Sequence, residues 1–115
     1  MSFAAMMEQL KKEYIESLPE KIETIESHIQ KQCSNSVKED FHKLKGTGKT
    51  YGLPEVSTLA ASVEAICIQT PERSFSAAEQ ALPILRDIHQ SRATDQLHDI
   101  GSDERYLQIR RTSAA

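Results

Sequence analysis

Apolar positions recur along this chain at intervals of three and four, and no run alternates with the period of two that marks a strand. Phe3, Met7, Leu10 and Tyr14 make one stripe at i, i+4, i+7 and i+11, which predicts a first amphipathic helix. Ser17-Leu18-Pro19-Glu20 reads as a break and a restart, because Ser17 and Glu20 have capping-box spacing and proline suits a first turn. Leu18, Ile22, Ile25 and Ile29 carry a second helix that fades near Cys33. Ser36 and Glu39 form another capping box and open a third helix, which runs to about Tyr51 and stops at Gly52. Pro54 begins a fourth, with Val56, Leu59, Val63 and Ile66 on one face and Thr70-Pro71 at its end. Ser76 and Glu79 suggest the start of a fifth, built on Ala78, Leu82, Leu85 and Ile88 or His89, with Pro83 expected to kink it or shift its start.

After about Arg92 the pattern weakens. Leu97, Ile100, Tyr106, Leu107 and Ile109 are scattered among charges, so residues 94–115 read as a tail, holding either a short helix on 103–110 or no order. Short connections between amphipathic helices favour antiparallel neighbours. The expected fold is therefore all-α: an up-down-up-down four-helix bundle within residues 1–93, with an additional N-terminal helix that caps one end or extends the second helix.

Composition narrows the class. A chain of 115 residues is one domain and buries about two-thirds of its unfolded surface, enough for one core. No apolar run approaches the roughly 20 residues of a membrane span, and the N-terminus lacks the look of a signal peptide. Cys33 and Cys67 are too few for a disulfide framework or a four-cysteine metal site, and both read as small buried hydrophobes. A net charge of -3 argues against a general nucleic-acid binder. The expectation is a cytoplasmic domain with no membrane or nucleic-acid partner; the starting Met1 and the loose tail lean toward a free-standing protein.

The third helix concentrates the chemistry. Four of the chain's eight lysines lie between Ser36 and Gly52, facing only Glu39 and Asp40. At 100° per residue, Val37, Phe41, Leu44, Gly48 and Tyr51 share an inward sector of about 80°. His42 lies roughly 140° from Val37, and Lys38, Lys45, Gly46 and Lys49 fall within about 60° of it. An acidic chain has thus placed a basic surface around one imidazole. A neutral imidazole nitrogen is a good nucleophile near neutral pH, and a phosphoryl group accepted there adds about two negative charges. Lys45, at i+3, can reach those charges. Gly46 costs about 1 kcal/mol of helix propensity against alanine but leaves space beside the histidine, while Gly48 lets a facing helix approach. On spacing alone, His42 reads equally as a plain surface histidine in a lysine-rich helix.

The run His42-Lys-Leu-Lys45-Gly46-Thr-Gly48-Lys49-Thr-Tyr51-Gly52-Leu53 resembles the motif of histidine phosphotransfer (HPt) domains. It matches at the histidine, leucine, lysine, first glycine, both small positions, aromatic, last glycine and following leucine. The surrounding helical pattern, about residues 3–92, is similar to the family's four-helix bundle. The resemblance implies that His42 is phosphorylated on its outward Nε2, that Lys45 stabilises the phosphoryl group and that Gly46 clears the surface beside it. Glu64 matches a glutamate that, in the phosphotransfer domains of chemotaxis kinases, hydrogen-bonds the other ring nitrogen; its alternative is a solvated helix residue. Asp40-Phe41, where many members have smaller apolar residues, and Lys49 are departures that bear on partner choice. Lys38, Lys43 and Lys49 are the expected partner-facing residues.

The resemblance further implies a phosphoryl carrier without ATP-dependent kinase activity. It would serve a two-component phosphorelay between aspartyl-phosphate receiver domains, or from a sensor histidine kinase. No cofactor of its own is expected, the receiver supplying Mg²⁺ and an acidic pocket. The alternative is a non-catalytic helical adaptor, or a phosphate sink, that binds a receiver or kinase. Gly48-Lys49-Thr50 resembles the end of a P-loop, but the required earlier glycine is Lys43 and no strand precedes it. His28, His89 and His98 have no partners at metal-site spacing and read as surface or boundary residues.

Overall fold

The computed structural model describes residues 2–113. Four helices make the bundle: α1 (Phe3–Gln30), α2 (Ser34–Thr50), α3 (Pro54–Gln69) and α4 (Ser74–Ala93). A fifth, α5 (Glu104–Ser113), follows a 3-10 turn at Ile100–Ser102, and no strand occurs among the described residues. Side-chain pairs establish the topology. His28 meets Asp40 and Tyr14 meets Thr47, so α1 and α2 are antiparallel. Glu64 meets His42 and Ser57 meets Lys45, so α2 and α3 are antiparallel too. Arg92 of α4 grips Glu55 of α3, while Ile66 and Ala77 share a cavity at the opposite end. The bundle is up-down-up-down, as the short connections require.

The expected break at Ser17–Glu20 is absent, and the separate N-terminal helix is the first half of α1. Ser17 donates to the Tyr14 carbonyl instead of capping a new helix. Capping boxes at Ser36 and Ser76 fail for a related reason. The preceding turns, from Ser34 and from Ser74, are already helical, so the N–H groups those boxes would cap are not at a terminus. Pro19 and Pro83 both sit on exposed sides of continuous helices. On those sides the ring displaces no core side chain, which limits the cost.

Core residues come from all five helices, with Leu18, Ile25, Phe41, Leu59, Val63, Ile84, Ile88 and Ile109 fully buried. The first turns of α1 project past this core, so Phe3, placed in an apolar stripe by its spacing, is 74% exposed. Cys67 is buried as expected, whereas Cys33 is exposed, because it precedes α2 outside the packed faces. The α2–α3 turn is set by Gly52 at φ +89°, with Leu53 N–H bonded to the Gly48 carbonyl at 2.7 Å and Gly52 N–H to that of Lys49. That pairing is the glycine-dependent Schellman stop, and it turns Leu53 into the core. Of the two readings left open for residues 94–115, the short helix is present as α5, but it is no loose tail: it packs on α3 and α4 through Tyr106 and Ile109.

Candidate functional site

The inward face of α2 is Val37, Phe41, Leu44 and Gly48, all buried, which rotates His42 outward. Its side chain is 61% exposed. At Gly48 the two helices come close together: a methyl group there would lie 2.9 Å from Val56 Cβ and 3.0 Å from the Ser57 backbone nitrogen. The tight contact brings α3 within reach of the histidine. Glu64, three turns from the start of α3 and 7% exposed, is not a solvated helix residue. Its Oε2 lies 2.5 Å from His42 Nδ1, and its Oε1 accepts from Lys45 Nζ at 2.5 Å.

This arrangement assigns the ring's tautomer. An ionised carboxylate can only accept, so Nδ1 carries the proton and, in the neutral ring, the Nε2 lone pair is free. The carboxylate is well placed to remain ionised. Its pKa is held below the usual carboxylate value chiefly by the Lys45 ammonium, and further by the His42 N–H, against an opposing push from burial. One buried carboxylate thus orients an exposed imidazole and a half-exposed ammonium.

His42, Lys45 and Glu64 are therefore brought together. Gly46 is one turn on, and a Cβ built there meets nothing within 4 Å, so the fold does not demand a glycine at that position. The open space lies on the solvent side, beside the imidazole. Lys43 and Lys49 are exposed and Lys38 is half-buried, and none is drawn into the Glu64 network. On the α1 side of α2, Lys21, Thr24, Ile25, Asp40, Lys43, Leu44 and Thr47 line a cavity of about 360 Å³ with an apolar floor.

Two neighbours of the site were not legible in the sequence. His28 Nδ1 pairs with Asp40 Oδ2 at 2.6 Å, so this α2 carboxylate is tied to α1 rather than presented to solvent. Twelve residues separate the pair, and no spacing rule connects them. Ser57 donates to the Lys45 carbonyl at 2.6 Å. Its position seven residues before Glu64, hence on the same face of α3, was the available signal.

Among the described residues no three His, Cys, Asp or Glu side chains gather as metal ligands, and no helix is long and apolar enough to cross a membrane. A family model described as the Hpt domain matches residues 9–102. No curated protein and no solved structure matches the chain.

Proposed function

The chain belongs to the Hpt domain family, and from that membership we propose that it carries a phosphoryl group on His42 within a phosphorelay. Hpt domains serve histidine phosphotransfer in two-component signalling, act as carriers rather than kinases, and interact with receiver domains or histidine kinases. The finer proposal is that His42 Nε2 accepts from a receiver's aspartyl phosphate and returns the group to a second receiver.

The observation that carries this reading is the 2.5 Å contact between His42 Nδ1 and Glu64. In the forward step the Nε2 lone pair attacks phosphorus. The N–P bond forms, the acyl phosphate P–O bond breaks, and its electron pair stays on the receiver's aspartate. The ring gains positive charge as Nε2 bonds, and Glu64, accepting from Nδ1–H, offsets it in place, as preorganised carboxylates do for other histidines. Lys45 sits one turn along the same helix and can exchange Glu64 for the phosphoryl oxygens once that charge arrives. Lys38, Lys43 and Lys49 extend the positive edge toward the receiver, which contributes the acidic pocket and Mg²⁺; this chain contributes no cofactor.

The test is transfer from receiver domains charged with labelled phosphate by a small phosphodonor. Acid-labile label should appear on the parent and be absent from His42→Gln. Because His42 is exposed, the variant should melt within a few degrees of the parent. A receiver that binds both proteins equally and labels neither would replace the carrier reading with the adaptor.

A further inference from the structure

We propose that Ser57 is a positioning residue for this site: it sets the axial register of α3 on α2, and so delivers Glu64 to His42. Among the described residues three side-chain hydrogen bonds join these helices. Two of them end on Glu64 itself and cannot explain why Glu64 is where it is. The third is Ser57 Oγ to the Lys45 carbonyl, at 2.6 Å.

The geometry of the pin is specific. Ser57 lies opposite Gly48, where a Cβ would stand 3.0 Å from both the Ser57 nitrogen and its Oγ. Only a bare backbone lets the hydroxyl pass over Gly48 to the Lys45 carbonyl behind it. From there Glu64 is seven residues along α3 and His42 three residues back from Lys45 along α2. At 1.5 Å per residue the pin is about 10 Å from the carboxylate along the axis, within one rigid stretch of helix. A slide of α3 by about 1.5 Å along the line of the contact, one residue's rise, would stretch the 2.5 Å contact to about 4 Å, past the range in which such bonds hold. The apolar contacts of Val56, Leu59, Val63, Phe41 and Leu44 are less directional than a hydroxyl-to-carbonyl bond, which adds the sharper constraint on axial position. Position 57 is also suited to a clean test. The Lys45 carbonyl lies inside α2, where it keeps its intrahelical donor, so losing the hydroxyl leaves no orphaned group.

The effect on transfer rests on the phosphocarrier reading; the effect on tautomer does not. The experiment reads both, using the protein alone. The tautomer of His42 is followed by long-range nitrogen–proton NMR of the labelled ring near neutral pH, and its phosphorylation by phosphoramidate, a small donor that needs no docking. Ser57→Ala should stay folded but lose the Nδ1–H pattern toward the mixture of a free imidazole, and should react more slowly. Thr58→Ala removes a hydroxyl that bonds within its own helix, to the Pro54 carbonyl, and should leave both readouts at parent values. Gly48→Ala keeps the hydroxyl but wedges the helices apart, and where it folds should reproduce the Ser57→Ala pattern. A folded Ser57→Ala with the parent's tautomer overturns the proposal, and so does equal loss in Thr58→Ala. A parent that shows the Nδ1–H tautomer yet takes no label at His42 would instead count against the carrier reading, leaving the register argument standing.

Discussion

The carboxylate of Glu64 faces an ammonium and an imidazole N–H through separate oxygens, and its ionisation holds the site together. Its folded pKa lies below its ordinary value, with Lys45 as the largest cause. A group depressed in this way adds stability that is present above the unfolded pKa and lost as pH falls through the folded one. The carboxyl carbon of Glu64 should therefore titrate by NMR below the usual carboxylate range. In Lys45→Ala the midpoint should move up toward the ordinary value, while burial continues to push the same way. An unchanged midpoint would mean that the Lys45 contact does not persist in solution. Lys45 is thus a partner of Glu64 before any phosphoryl group arrives, a role its i+3 spacing from His42 does not reveal.

Among the elements, α1 and α5 depart most from the pattern in the sequence. Pro19 sits in the middle of α1 on its exposed side, so it removes a hydrogen bond without an apolar gain. Pro19→Ala should raise stability by up to about 3 kcal/mol, seen as a higher urea midpoint. A lower midpoint would indicate that the proline sets a bend the core needs. α5 is fastened at its start, where Asp103 takes the Arg105 backbone N–H and side chain and pairs with His98 at 2.7 Å, while Arg105 reaches Asp87 of α4. Those bonds keep the Asp103 carboxyl far below its ordinary value. Farther along, Ile109 is fully buried. Ile109→Ala should cost about 2–5 kcal/mol in urea unfolding, although it lies beyond the residues matched to the family. No loss would mean that α5 detaches freely.

Over the whole molecule, a domain of net charge -3 carries its basic edge on one helix. The bundle measures 47 × 29 × 20 Å, several screening lengths at physiological salt, so a partner at α2 senses the local lysines more than the net charge. Reversing Lys43 and Lys49 to glutamate, both exposed, should leave folding within about 0.5 kcal/mol. It should slow association with a receiver about tenfold at low salt, and the difference should vanish near 1 M, where screening acts over about 3 Å. Stopped-flow binding at several salt concentrations would show this; a salt-independent deficit would assign these lysines to direct contacts instead.

Local chemistry written in order along the chain was legible from sequence alone. Apolar spacing identified the helical class, the buried face of α2 and the outward turn of His42, because those follow from the helical period. Gly52 marked a stop because its positive φ suits a residue without a side chain. Capping boxes and Pro19 misled for the complementary reason: propensity is a small local energy, and packing of Leu18, Ile22 and Ile25 into the core outweighed it. Only tertiary structure decided what lies beside His42. The Glu64 contact, the engagement of Lys45, the Ser57 pin and the His28–Asp40 pair all cross between helices. Their distances depend on how closely two helix axes approach and in what register, and a periodic pattern is unchanged when one helix slides or rotates as a body against another.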